Sequence, residues 1–460
     1  MGVKSLKMRI LWVTLHFPPR QSGGVFRPIQ IYKYLDKNKF EIDFLTLSLW
    51  GQYKRAVRDD SVLDEVFPKP RIYRIPSIEL HDGVRLLVDS IRKRRQRDKL
   101  QNGNPRGPVE SDFKSGSVKE CLKGAFRFFM AFIYFPDKYV IWGWLSALKS
   151  LWLHYRRRYD LIYTTSPPLS GHLPGLLLRP FGVKWVVDYR DGGSLWTKKA
   201  WGNFAGKVRE KIDFYYQRYV LNKADYVIIQ SELLKEQFIR EFSLIHSRIR
   251  TIPSGFDEEY FARPTIEDPP FVKKPHELHI LHVGAWYVSG KETVKIIEEL
   301  NSLQLGLQVR GLDLILHAVG NDLFSEEQKN NALRIQYLYH GVIPHPVLLP
   351  YFLSADCYFL STSVGKSVDG ARGFLAGKLW EYLRGGKPII VFGPKDEAWQ
   401  IIQDSRVGVY LGELNSEDHI CADALLRLVE QSRNLNPKVS QHSWESRAHA
   451  MQEVFQQVLE

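Results

Sequence analysis

The sequence predicts an α/β protein made of two Rossmann-like, doubly wound parallel-sheet domains that face a cleft. Three observations carry that expectation. Short apolar strands alternate with helical stretches in two successive series, the pattern of a parallel sheet with crossover helices. A segment from Arg263 to Glu277 holds Pro264, Pro269, Pro270 and Pro275 and reads as a stiff, exposed linker between the series. At 460 residues and 44% hydrophobic content, the chain can bury more than one core.

In the first series, Met8 to Leu15 is an unbroken apolar run and reads as a buried strand. The loop Phe17-Pro18-Pro19-Arg20-Gln21-Ser22-Gly23-Gly24 comes next and opens onto a helix from Phe26 to Leu35. Strands are expected at Phe40 to Ser48, Leu161 to Thr164, Lys184 to Asp188 and Tyr226 to Gln230. Beyond the linker they are expected at Leu278 to Val283, Leu314 to Val319, Ile335 to Tyr339, Cys357 to Leu360 and Ile389 to Phe392. The domains are therefore read as residues 1–265 and 266–440, with ligands bound beyond the carboxyl ends of the strands. Residues 441–460 form a closing helix whose apolar stripe is Trp444, Ala448, Met451, Phe455 and Val458.

Residues 84–158 fit neither series and read as an insert in the first domain. They begin with the basic run Arg92-Lys93-Arg94-Arg95-Gln96-Arg97 and become aromatic from Phe126 onward. There Phe128, Phe129, Phe132, Trp142, Trp144 and Trp152 sit among Arg127, Lys138, Lys149 and Arg156. Pro136, Asp137 and Lys138 interrupt the apolar run before the ~20 residues a bilayer crossing needs, so the segment is expected to lie on an interface.

A net charge of +13 and a pI near 9.4 point to a polyanionic partner, nucleic acid or an anionic lipid surface, between which charge alone does not choose. The absence of an RNA-binding signature favours the membrane. Cys121, Cys357 and Cys421 lie far apart and imply a reducing compartment, and the run from Ile10 to Leu15 is too short for a signal-peptide core. The expected location is cytoplasmic, peripheral on the inner face of the membrane.

The most informative motif is Lys378-Leu-Trp-Glu381-Tyr-Leu-Arg-Gly-Gly-Lys387-Pro388. It reads as a short helix stopped by Gly385-Gly386 and succeeded by a strand. A helix starting near Gly377 at the mouth of a sheet directs amide N–H groups toward an anion such as a diphosphate, and Glu381, one turn in, can accept from a sugar diol. Gly23-Gly24 lets a ligand approach the backbone. Val283-Gly284 to Gly290-Lys291 is not a P-loop: five residues separate the glycines, and Glu292 stands where Ser or Thr would hold magnesium.

Together these runs resemble the GT-B glycosyltransferases of family 4, in the branch with K-L-[FW]-E-Y followed by a G-K-P strand. The PP…GG loop at Gly23-Gly24, Ser166-Pro167-Pro168 with Gly171-His172, and Trp185 to Asp191 as W-x-x-D-[FY]-R-D strengthen the likeness. The turn Pro253-Ser254-Gly255-Phe256-Asp257 resembles the family's P-N-G-V-D, with serine replacing asparagine. The resemblance implies a retaining transferase that moves a sugar from a nucleoside diphosphate to a hydroxyl in cell-surface polysaccharide or lipid-linked glycan assembly, without metal or other cofactor, and a helix at 441–460 that crosses back to the first domain.

It places Lys291, Arg190 and Asp191 among the catalytic residues and Gly23, Gly24, Gly284, Gly377, Lys378 and Glu381 at the donor. His172, Gly255 and Asp369 form a second tier. Two departures stand out. The family's arginine slot falls on Ala285 or Trp286, and the first of its two glutamates falls on Gly373, for which Asp369 is the nearby substitute. The implied partners are a nucleotide-sugar donor, a glycan or lipid-linked acceptor and an anionic membrane, and not nucleic acid. The alternatives are a sugar-nucleotide epimerase and a catalytically degenerate nucleotide-binding scaffold.

Overall fold

The computed structural model describes residues 7–20, 22–48, 59–76, 135–197, 204–263, 269–288, 290–362, 373–412, 422–431 and 437–460. The basic run at 92–97, the aromatics from Phe126 to Tyr134, Cys121, Cys421 and Asp369 lie outside them.

The described strands form two sheets, and every pairing is parallel. The first comprises β1 (Met8–Thr14), β2 (Phe40–Leu47), β3 (Arg71–Ile75), β4 (Leu161–Ser166), β5 (Lys184–Tyr189), β6 (Tyr226–Ile229) and β7 (Ile249–Thr251). Its order is β3-β2-β1-β4-β5-β6-β7. The second comprises β8 (Glu277–Gly284), β9 (Asp313–Gly320), β10 (Gln336–Tyr339), β11 (Cys357–Ser361), β12 (Ile389–Phe392) and β13 (Gly408–Gly412), in the order β10-β9-β8-β11-β12-β13. Each sheet reverses beside its first strand, which puts switch points at β1/β4 and β8/β11, where such sheets open a crevice.

The ten expected strands are present to within two residues, and three more were missed. Strand β3 is an edge strand with a polar, partly exposed pattern, β7 is three residues long, and β13 is bounded by glycines, so none carries a long apolar run. Central strands are buried on both faces: Leu11 and Val13 of β1 join one cluster, Ile10 and Trp12 the other.

Seven helices frame the site and its surroundings: α1 (Phe26–Tyr34), α2 (Val140–Arg157), α3 (Phe204–Lys223), α4 (Glu232–Phe242), α5 (Gly290–Gln308), α6 (Lys378–Gly385) and α7 (Trp444–Leu459). Helix α2 leads directly into β4 and buries Trp142, Gly143, Ser146, Ala147, Ser150 and Leu153. Residues 140–157, which the sequence pattern assigns to the insert, are thus a crossover helix of the first sheet. Among the described residues no helix is long and apolar enough to cross a membrane.

Helix α7 lies on the first lobe. Trp444, Ala448, Met451, Val454, Phe455 and Val458 share a core with Ile10, Trp12, Phe40 and Tyr163, and Phe455 meets Phe40 and Tyr163 edge-on at 5.9 and 5.6 Å. Burial of each such side chain contributes about 1.5–3 kcal/mol. At the crossing Phe256 bridges to Ser443. A Cβ on Gly255 would stand 2.6 Å from the His442 carbonyl, so this turn accepts only glycine without moving the crossing strand.

Candidate functional site

At the first switch point one guanidinium ties three loops together. Arg190, just past β5, donates to the carbonyls of Gly24 at 3.1 Å, Pro167 at 3.1 Å and Ser166 at 3.4 Å. A Cβ on Gly24 would lie 2.7 Å from Arg190 Nη1 and 2.9 Å from His16 Cγ, which is why the turn after β1 needs glycine there; Gly23 beside it is open. Burial lowers the Arg190 pKa from the usual arginine value. Asp191 makes no hydrogen bond to Arg190: its Oδ1 accepts from the Gly193 N–H at 3.0 Å, and burial raises its pKa.

Behind these loops sits an ion pair between Asp188, the first aspartate of the W-x-x-D-[FY]-R-D run, and Arg27, which no sequence motif singled out. Arg27 Nε and Nη2 donate to the two Asp188 oxygens at 2.7 and 3.2 Å, and the Tyr163 hydroxyl donates to Oδ2 at 2.6 Å. Arg27 Nη1 also reaches the Pro253 carbonyl at 3.0 Å, so α1, β5 and the interlobe turn meet on one side chain. The readable signal was Asp188 itself, a carboxylate between Val187 and Tyr189 in a buried strand, which demands a cation.

The structure seats His172 in the core rather than the cleft. It is fully buried and faces Tyr189 at 4.8 Å. Its Nδ1 shares a hydrogen bond with the Thr164 hydroxyl at 2.8 Å, and that oxygen accepts from Trp185 Nε1 at 2.8 Å. Burial pushes it down to about 3, so it stays neutral.

At the second switch point β8 ends at Gly284 in a left-handed conformation, φ +83°. Lys378, the first residue of α6, reaches back over this loop. Its ammonium bonds the Ala285 carbonyl and meets His282 Nε2 at 2.7 Å, with the Tyr287 ring 5.4 Å away. His282 stacks flat on Trp286 at 3.4 Å, and burial beside Lys378 holds it neutral. Burial brings Lys378 down to about 7. Its described partners are neutral acceptors, with no carboxylate among them. A cation therefore stands beside the loop whose arginine the resemblance finds missing.

Before α6, Gly377 is exposed, and a Cβ there would meet nothing within 4 Å. The amides of Leu379 and Trp380 bond back to Ala376 and Gly377, leaving those of Gly377 and Lys378 as the helix's unengaged donors among the described residues. One turn on, Glu381 Oε1 accepts from His345 Nε2 at 2.6 Å. The His345 ring stacks on Tyr260 at 4.5 Å and meets Phe26 of α1 at 4.6 Å. Glu381 is thus linked to the first lobe through His345 and Phe26, which lies two residues beyond Gly24.

Lys291, second residue of α5, is exposed and has no partner among the described residues. Gly373, at the position of the family's first glutamate, has φ +82°, and a Cβ there would stand 2.6 Å from Ser231 Oγ. Ser231 caps α4, whose Glu232 and Leu233 amides also donate to Glu397 of the second lobe at 2.9 and 2.8 Å. A glutamate at 373 would break this contact between the lobes.

The structure thus joins Gly24 to Arg190, Lys378 to the loop after Gly284, and Glu381 to α1. It leaves His172 and Gly255 in packing positions. Among the described residues no group of three or more His, Cys, Asp or Glu is arranged to hold a metal.

Residues 131–255 match the model of the glycosyl transferase 4-like domain. The whole chain is similar in fold to the sucrose-phosphate synthase of Thermosynechococcus elongatus, at 16% identity and TM-score 0.57 over 98% of this chain and 99% of that one. It is also similar to a glycosyltransferase of Rickettsia africae, at 13% identity and TM-score 0.55 over 99% and 100%. Anabaena HepE, solved in complex with UDP, matches at 11% identity and TM-score 0.56 over 98% and 100%. A search of curated proteins returned no match. The two-lobed fold is that of the GT-B glycosyltransferases, and the matched domain supports glycosyl transfer in general.

Proposed function

We propose that the protein is a retaining glycosyltransferase that moves a sugar from a nucleoside diphosphate to a hydroxyl of a glycan or lipid-linked acceptor. The observation that carries this reading is Lys378, a cation held among neutral acceptors at the mouth of the second sheet, beside Gly284 and one turn from Glu381. A sheltered ammonium without a carboxylate is costly until an anion arrives, and a diphosphate is the anion this crevice suits.

In the reaction the anomeric C–O bond breaks and its electron pair passes to the diphosphate. In this reading Lys378, the two unengaged amides of α6 and the exposed Lys291 stabilise that charge, each such contact contributing roughly 3 kcal/mol when water is excluded. Glu381 accepts from the ribose diol and so positions the anomeric bond. The acceptor oxygen bonds the same face of the sugar while its proton passes to the departing phosphate, the retaining course the resemblance implies. Arg190 shapes the acceptor side by holding the loops at Gly24, Ser166 and Pro167.

The test is sugar transfer and donor hydrolysis over a panel of nucleotide sugars, with Lys378→Ala, Lys291→Ala and Glu381→Ala beside the parent. Turnover lost in Lys378→Ala and Glu381→Ala supports the assignment. Turnover unchanged in all three rules it out.

A further inference from the structure

We infer that the outward face of α2 is a docking surface for an anionic lipid bilayer, which presents the first lobe to a lipid-linked acceptor. The docking stands on its own observations; only the acceptor clause rests on the proposed transferase activity.

Helix α2 is two-sided. Inward, Trp142, Ser146, Ala147, Ser150 and Leu153 are buried against the lobe. Outward, Trp144, Leu148, Trp152 and Tyr155 are 54%, 60%, 42% and 75% exposed. Their spacings of four, four and three place them on one stripe along a helix about 27 Å long. A helix end buries or exposes single apolar residues without consequence, but a continuous stripe of two tryptophans, a tyrosine and a leucine marks a surface that meets something apolar.

The flanking charge says what. Lys149 Nζ lies 3.7 Å over the Trp152 ring, the Arg156 guanidinium lies 4.0 Å from it, and Arg158 reaches Tyr155 at 5.7 Å. No Asp or Glu occurs anywhere in Val140–Arg157. Tryptophan and tyrosine settle at the depth of lipid headgroups, while lysine and arginine lay their stems along apolar surface and hold their charges among phosphates. Leu148, between the aromatics, inserts into acyl chains but offers nothing for a nucleic-acid base to stack on, which separates the bilayer from single-stranded nucleic acid.

The stripe is also tied to the site. Asp137, three residues before α2, accepts from the Ser170 N–H and hydroxyl, both at 2.8 Å. Ser170 belongs to the loop after β4, which carries the Pro167 carbonyl that Arg190 holds. The Trp144 end of the stripe is the end nearest the cleft loops, so a docked α2 sets those loops close to the membrane surface.

The experiment is co-sedimentation of the full chain with phosphatidylcholine vesicles, with and without about one third phosphatidylglycerol, in the absence of any sugar nucleotide. Binding is expected to be roughly tenfold stronger with the anionic lipid and to fall as salt rises. The triple variant Trp144→Ser, Leu148→Ser, Trp152→Ser, and separately Lys149→Gln with Arg156→Gln, are expected to lose about tenfold in binding while keeping the parent's melting temperature. Equal binding to neutral vesicles, or binding that survives both variants, overturns the proposal. So does acrylamide quenching that shows Trp144 and Trp152 already shielded without lipid, because the chain then covers its own stripe. Preference for a single-stranded oligonucleotide over vesicles overturns it as well. Because no donor is present, a failed transferase assay leaves this result intact.

Discussion

The imidazole of His345 donates to the carboxylate of Glu381 at 2.6 Å while its ring is held by Tyr260 of the interlobe segment and Phe26 of the first lobe. Glu381 is therefore oriented by a contact that depends on both lobes. Replacing it is expected to cost about tenfold or more in affinity for the nucleoside diphosphate that gives the largest thermal shift. Replacing His345 with alanine is expected to cost a few-fold, with partial recovery in His345→Gln, which keeps a donor. Calorimetric titration of the three variants decides; equal affinity in His345→Ala and the parent removes His345 from the account.

Nucleotide affinity is expected to depend on pH through Lys378. Its charge is what the diphosphate recognises, and burial lowers its pKa to about 7 in the free protein. Below that value affinity is level; as pH rises through it, affinity falls toward tenfold per unit, and binding takes up a proton. Titration in buffers of different ionisation enthalpy measures that uptake directly. In Lys378→Met the pH dependence disappears and affinity drops. A flat pH profile for the parent excludes this linkage.

Arg190 acts on geometry, so Arg190→Ala is expected to reduce kcat/KM for the acceptor far more than it changes nucleotide affinity. Removing its donors leaves the Gly24 and Pro167 carbonyls short of partners, at a cost of roughly 1–3 kcal/mol of stability, while the Ser166 carbonyl keeps the backbone N–H of residue 190. Gly24→Ala, which crowds the same guanidinium, is expected to show the same split. Comparing acceptor kinetics with nucleotide titration checks it, and equal losses in both would assign Arg190 to the donor.

Asp188→Ala is expected to destabilise the first lobe by about 3–5 kcal/mol, because Arg27 would then be a buried cation without its carboxylate. The double replacement Arg27→Leu with Asp188→Leu is expected to recover much of that loss. Denaturant melts of the single and double variants give the coupling. Additive losses would mean that the two charges stabilise the lobe independently.

The fold class was legible because strands buried on both faces write long apolar runs that need no knowledge of the rest of the chain. The strands that escaped lack such a run: Arg71–Ile75 is partly exposed, Ile249–Thr251 is three residues long with Arg250 at its centre, and Gly408–Gly412 is bounded by glycines. In the site, the adjacency of Lys378 and Glu381 on one helix was readable. That the Lys378 side chain turns back to Ala285 and His282 was not, because those contacts join residues 93 and 96 positions apart. His345 escaped for the same reason: its partners Phe26, Tyr260 and Glu381 come from three segments, and no local period links them. Gly373 looked like a lost glutamate, but the close approach of Ser231 shows a position that only a residue without a side chain can occupy.

Helix α7 completes the core of the lobe in which the chain begins. During synthesis, then, Ile29, Ile31 and Tyr32 of α1 cover only part of that flank of the first sheet, and Ile10, Trp12 and Phe40 wait for more than 400 further residues before the cover is complete. The clusters of the second lobe draw on residues no further along the chain than Val439, before α7 begins. The lobe translated first is thus the one whose core is completed last.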